Sequence, residues 1–278
     1  MRLKVIIIGK NSFVGANLYY YLKKKMKVSI ISFNDFMKKK KLSNIDYVIN
    51  CSLTPDYLIK KYKSDYDIDY LILNKIKKFE FIKYIFLSSR KIYKPKANIF
   101  ENSAFLLNDN YSRNKFKTEK ILSQNLKNRL LTLRVSNLIG LRKNKKNRKI
   151  HKTFIDYFIE ASKKQIIYDN KNVFKDFLPI NIFCKIVFLL IKKNKSGIYN
   201  VSIGKKIYLN NVIKWLNYYN PNKNKIMELS TVNIKKFDRS SFFLNNKKLR
   251  KAINLKINLI ELKNKCLEIS KNIFYEKN

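Results

Sequence analysis

Tyr111 and Lys115 have the residue types and the spacing of a proton-transfer pair. They stand at the head of a segment whose apolar spacing predicts a helix to about Leu126. Four residues is about one helical turn, so both side chains lie on the same face. A phenol ordinarily ionises near pH ~10 and is a poor base at neutrality, whereas an ammonium held beside it favours the phenolate. An apolar run, Tyr84 to Leu87, ends in Ser88-Ser89. A serine hydroxyl at such a strand end can bond the same substrate oxygen. Together the three would move a proton in an alcohol–ketone interconversion. Taken alone, the Tyr/Lys pair suits a solvated helix face better, because the chain has 18 Tyr and 61 Lys plus Arg.

Such a trio needs a redox cofactor beside it, and the first residues of the chain offer a place for one. Residues 3–8, LKVIII, read as a buried parallel strand. Gly9-Lys10-Asn11-Ser12-Phe13-Val14-Gly15 follows, then a helical pattern to about Lys25. A glycine-rich turn between strand and helix lets backbone N–H groups approach a pyrophosphate at the positive end of the helix dipole. A second strand, Val28 to Ile31, ends at Ser32, where an NAD site usually has an acid for the ribose hydroxyls. A hydroxyl there, with Lys38 to Lys41 close behind, would tolerate a 2′-phosphate. NADP is therefore favoured, and NAD stays open; the lysine run also reads as plain solvated surface.

The order Ser-Ser-x-x-Ile-Tyr after a strand, then Tyr-x3-Lys about twenty residues on, resembles the extended short-chain dehydrogenase/reductase family. That is the family of NAD(P)-dependent sugar epimerases, dehydratases and reductases. Gly9 and Gly15 match the outer glycines of its Gly-x-x-Gly-x-x-Gly turn, with Ser12 in the middle place. Asp46 to Ser52 resembles the family strand in which small residues, here Cys51 and Ser52, leave room for the cofactor. Asp67 stands where the family often has Asn at a helix start, and reads equally as an N-terminal helix charge. Leu133-Arg134-Val135-Ser136-Asn137, then Gly140 and Arg142, match Leu-Arg-x-x-Asn and Gly-x-Arg. Lys175-Asp176-Phe177 stands for Arg-Asp-Phe, keeping the charge without the bidentate geometry. Residues 197–204 and 243–249 resemble the later family segments.

The resemblance implies a doubly wound parallel α/β sheet of Rossmann type with a smaller C-terminal mixed substrate-binding region. The dinucleotide-binding region would span 1–140 and the substrate region 141–278, interleaved near 176–200. Ser89, Tyr111 and Lys115 would be catalytic, Lys115 also holding the nicotinamide ribose. NADP or NAD would lie against Gly9, Asn11, Ser12, Phe13, Val14, Gly15, Ser32, Cys51, Ser52, Ser88, Tyr111 and Lys115. A nucleotide-sugar substrate would meet Asn137, Arg142 and Lys175, with the basic loop 142–149 near its pyrophosphate or merely solvated. Family dehydratases have an acidic pair after the catalytic hydroxyl residue; Arg90 and Lys91 stand there instead. Combined epimerase-reductases need an added Cys and His, yet no Cys is near Ser89 and the one histidine is His151. A 4-epimerase or a ketosugar reductase remains. A homodimer follows by analogy only.

Composition bounds the rest. The 278 residues are 46% hydrophobic, enough for a substantial core. No apolar run is long enough to span a membrane, and residues 1–10 suit a strand better than a secretory signal. Three scattered cysteines suggest reduced thiols in the cytoplasm, and with one histidine they make a zinc site unexpected. The net charge of +42 invites a nucleic-acid reading. The lysines are spread along the whole chain amid heavy Asn, Ile, Phe and Tyr, which favours compositional bias and no specific nucleic-acid partner. A non-catalytic dinucleotide sensor of the same fold is the other alternative, prompted by Ser12, Asp67 and Lys175.

Overall fold

The opening apolar run forms β1 (Lys4–Ile8), and Val5 to Ile8 are at most 1% exposed, as a parallel strand covered on both faces requires. The computed structural model describes residues 3–143, 153–163, 173–221 and 241–275. Ser12 then caps α1 (Phe13–Leu22), its Oγ accepting from the Gly15 N–H, and the helix returns the chain to β2 (Lys27–Ile31). Ser32 caps α2 (Phe33–Lys38), and β3 (Tyr47–Asn50) follows. Next come α3 (Pro55–Ile59), α4 (Ile68–Ile76) and β4 (Lys83–Ser89). Asp109 and Ser112 form a reciprocal cap at the start of α5 (Asn110–Leu126), which leads into β5 (Leu130–Val135).

After β5 the chain leaves the sheet. The Ser136 N–H donates to the Val201 carbonyl, and β6 (Asn137–Ile139) begins beyond it, so Asn137 is not part of the preceding strand. Past α6 (Phe154–Lys163) come β7 (Phe174–Lys175) and β8 (Phe177–Pro179), which pairs with β6. The apolar α7 (Ile180–Lys192) then leads into β9 (Gly197–Val201), which runs parallel to β5 at the edge of the main sheet. β10 (Ile207–Tyr208) closes against β7, and α8 (Leu209–Leu216), α9 (Lys247–Ile253) and α10 (Leu259–Phe274) complete the described chain. Among the described residues no helix is long and apolar enough to cross a membrane.

The main sheet has the order β2-β1-β3-β4-β5-β9, parallel throughout. Alternate residues of each strand face opposite sides. Val5, Ile7, Leu131 and Leu133 pack with α1, α7 and α10, while Ile6, Ile8, Val48 and Phe86 pack with α2, α4 and α5. Both faces are therefore covered, as a doubly wound Rossmann-type sheet demands. The connections from β1 and β2 proceed in opposite directions across the sheet. That reversal leaves a crevice at the carboxyl ends of β1 and β3, where such sheets bind ligands.

Candidate active site

The crevice is framed by backbone in close approach. Gly9 has φ +112°, and a Cβ there would lie 2.7 Å from Ser52 Oγ. A Cβ on Gly15 would lie 2.5 Å from the Gly9 carbonyl oxygen and 3.3 Å from Cys51 Cβ. These two positions accept glycine alone without a shift of the turn. Ser12, in the middle place, has ordinary extended angles (φ −80°, ψ 150°), so no glycine is needed there. The Phe13 ring is buried in the core and Val14 packs against it, which leaves the Phe13 and Val14 N–H groups at the helix start to face a ligand, the Gly15 N–H being taken by Ser12 Oγ. Lys10 and Asn11 form the exposed tip of the turn. No acid stands in the first turn of α1. This tight, cationic turn fits the pyrophosphate of a dinucleotide.

Ser32 differs in part from its expected surroundings. Its Oγ donates to Asp35 Oδ2 at 2.6 Å and accepts from the Asp35 N–H. The exposed Asp35 carboxyl is held below its usual range by these bonds first, with Lys10 and Lys38 adding to the effect. An acid is thus present at the end of β2 after all, one helical turn beyond the place where it was sought.

Along the sheet, Ser89 ends β4 and its Oγ accepts from the Lys91 N–H at 3.2 Å. Tyr111 lies half-buried in the first turn of α5, with the Lys91 ammonium 5.7 Å from its ring centre. Lys115 is 3% exposed, with its ammonium 4.6 Å from the centre of the Phe86 ring. Burial pushes the Cys51 thiol up, so it is no nucleophile.

The sequence profile of the NAD dependent epimerase/dehydratase family matches residues 43–202, more than half of the chain. The chain belongs to that family. A UDP-N-acetylglucosamine 4-epimerase from Methanobrevibacter ruminantium, solved with UDP-N-acetylmuramic acid, has a TM-score of 0.76 at 19% identity, with 98% of each chain covered. RMD from Pseudomonas aeruginosa, solved with NADPH, has a TM-score of 0.76 at 16% identity over 99% of each chain. A UDP-glucose-4-epimerase from Stenotrophomonas maltophila, solved with NAD and formylated UDP-arabinopyranose, has a TM-score of 0.75 at 12% identity over 98% of each chain. At these identities the likeness is one of fold. No curated protein matches the sequence.

Other expected site residues of this epimerase/dehydratase-family enzyme are engaged elsewhere. The Ser88 hydroxyl points away from Ser89's side of the strand and donates to Glu119 Oε2 at 2.8 Å, in the buried face of α5. Only its backbone is left for a cofactor. Glu119 also forms a buried ion pair with Arg134, whose guanidinium donates to Tyr93 Oη at 2.6 Å. Past β5, the Asn137 N–H donates to the Asp176 carbonyl, next to Lys175. Lys175 is 7% exposed, its ammonium 5.4 Å from the centre of the Phe242 ring that Arg90 covers at 3.9 Å. Arg142 pairs with Asp156 at 2.9 Å and lies 5.9 Å from the centre of the Phe13 ring, at the start of α1. Residues 144–149 of the basic loop, and His151, lie outside the described residues.

Behind Lys115 lies a polar cluster that the motifs did not signal. Asp67 caps α4, its Oδ1 accepting from the N–H groups of Asp69 and Tyr70 and its Oδ2 from Thr118 at 2.6 Å and Tyr62 at 3.1 Å. Burial first, then Asp69, pushes the Asp67 carboxyl up to about 6. The helix-charge reading of Asp67 thus holds, with a buried network added. Among the described residues no His/Cys/Asp/Glu group could hold a metal ion, and none of the three cysteines is in a disulfide.

Proposed function

We propose that this enzyme is an NAD(P)-dependent epimerase or ketosugar reductase acting on a nucleotide-linked sugar. The observation that carries the reading is the common location of the Gly9–Gly15 turn, Cys51-Ser52 and Ser89 at the carboxyl ends of neighbouring parallel strands, with Tyr111 and Lys115 on the helix packed beside them. Gly9 to Gly15 would take the pyrophosphate, and Lys115 the nicotinamide ribose. The bound nicotinamide would supply or accept hydride at the reacting carbon. Tyr111 Oη carries the proton of the sugar hydroxyl or ketone, Ser89 Oγ bonds that oxygen, and Lys115 places positive charge nearby. Asn137, Arg142 and Lys175 would hold the nucleotide diphosphate side. The division into a dinucleotide region, 1–140, and a substrate region, 141–278, belongs to this proposal, as does a cytoplasmic setting with reduced thiols. The Asp35 carboxylate suits a ribose hydroxyl and opposes a 2′-phosphate, so it now inclines the choice toward NAD.

Denaturing the purified protein and identifying any released nucleotide separates the two activities. Tightly retained NAD supports the epimerase, and an empty site that binds NADPH supports the reductase. Tyr111→Phe is expected to lower turnover roughly 1000-fold with dinucleotide affinity unchanged; a fully active variant refutes the assignment. A non-catalytic sensor, which Ser12, Asp67 and Lys175 prompt, would have no need of the complete Ser89/Tyr111/Lys115 set.

A further inference from the structure

Lys115 is held by a carboxylate that the proton-transfer trio does not include. Asp69 Oδ2 lies 3.7 Å from Lys115 Nζ, and both side chains are at most 4% exposed. The other oxygen of Asp69 accepts from Asn50 Nδ2 at 3.0 Å and from Tyr84 Oη at 2.6 Å. Asn50 ends β3 and Tyr84 lies in β4, so two strands of the sheet aim this one carboxylate. The Lys115 ammonium lies 4.6 Å from the centre of the Phe86 ring and 5.4 Å from that of the Tyr57 ring. A buried lysine without a counter-charge tends to shed its proton, and a buried carboxylate tends to take one.

We infer that Asp69 is a positioning residue, which holds Lys115 charged and aimed at the reacting site before any ligand arrives. The inference rests on the proposed role of Lys115. An ammonium has three N–H bonds; one turned to Asp69 leaves two for the ribose and for the Tyr111 side. The titratable groups around the ammonium are Asp67 and Asp69 at the start of α4, Tyr57 in α3, Tyr84 in β4, Cys51 after β3 and Tyr111 in α5. Burial raises Tyr57, Tyr84 and Cys51, so these stay neutral through the working range. Asp67 gives its carboxylate to Thr118, Tyr62 and the α4 backbone. Asp69 is the acid in direct contact with the ammonium.

The test compares Asp69→Asn and Asp69→Glu with the full-length wild type. The first readout needs neither cofactor nor turnover: the pH titration of the Lys115 13Cε signal, assigned with Lys115→Met. In Asp69→Asn the midpoint is expected to fall by at least about one pH unit, because a buried ammonium has lost its carboxylate. The second readout is activity against pH. Asp69→Asn should lose activity at lower pH than wild type and regain it on acidification, and Asp69→Glu should restore the wild-type profile at reduced kcat. NAD affinity should weaken at alkaline pH in Asp69→Asn and not in Asp69→Glu. Unchanged midpoint and profiles in Asp69→Asn overturn the inference, as does a uniform loss of activity at every pH. If Asp69→Asn does not fold, Tyr84→Phe removes one of the bonds aiming the carboxylate; a smaller shift in the same direction supports the inference and none overturns it. A fully active Lys115→Met would instead overturn the function proposed for the trio. An inactive Lys115→Met beside an Asp69→Asn of unaltered pH profile would overturn this inference alone.

Discussion

The crevice turn and the cluster behind Lys115 are built on opposite plans. The turn from Gly9 to Gly15 is shaped by backbone: two glycines admit close approach, one cap fixes the helix start, and the side chains of Phe13 and Val14 go to the core. The region beneath α5 is shaped by side chains, with Asp67, Asp69, Glu119 and Arg134 buried and each bonded to specific partners. A backbone site tolerates substitution wherever a conformation is ordinary. A buried charge site tolerates almost none, because losing one partner strands the other.

The two plans predict different costs. The largest is expected at Glu119→Gln, which strands buried Arg134 and should cost roughly 3–5 kcal/mol of unfolding free energy in denaturant titration. A loss below about 1 kcal/mol, the range of exposed pairs, would remove the contrast.

Next comes Asp176, a fully buried carboxylate that accepts from the N–H groups of Ile203, Gly204 and Leu244. Burial raises it to about 7, despite those bonds, against about 3.9 in an unfolded chain. Between those values the folded form binds the extra proton, so this group's contribution to stability falls as pH rises from about 4 to 7. The stability of wild type relative to Asp176→Asn should therefore decline across that window, by an amount on the order of 3 kcal/mol. A flat difference would mean that the carboxyl is not perturbed.

On the backbone side, Gly15→Ala forces its Cβ against the Gly9 carbonyl and should cost about 1–3 kcal/mol, read by thermal unfolding, together with weaker dinucleotide binding. The smallest effect belongs to Ser12→Gly. Restoring the family's middle glycine removes a cap and relieves no strain, so stability should drop by only a few tenths of a kcal/mol and dinucleotide affinity should not improve. A clear gain in affinity would show that Ser12 obstructs the turn.

This contrast also explains what could be read from the sequence. The strands were legible as short apolar runs, and the order of motifs placed the turn, Ser89, Tyr111 and Lys115 on their proper elements. Signals for two further features were present: Ser32-x-x-Asp35 has the form of a helix cap, and Asn258-x-x-Glu261 opens α10 with a reciprocal cap. Lys- and Asn-rich composition blurred the apolar stripe of that last helix. The two-residue period of a strand already implied that Ser88 and Ser89 face opposite ways. The Asp69–Lys115 pairing had no local signal, because the residues are remote in the chain and only the packing of α4 against α5 joins them.

Glu119 stands two turns beyond Tyr111 on the same side of α5, and its carboxylate grips Ser88, the residue before Ser89. Helix and strand thus form a closed loop that carries the phenol at one corner and the serine hydroxyl at another. Rolling or sliding α5 would have to tear a charged anchor from the sheet before the spacing of those corners could drift. The spacing is set by the polypeptide itself, so under the proposed roles of these two groups it does not have to be recovered each time a substrate enters.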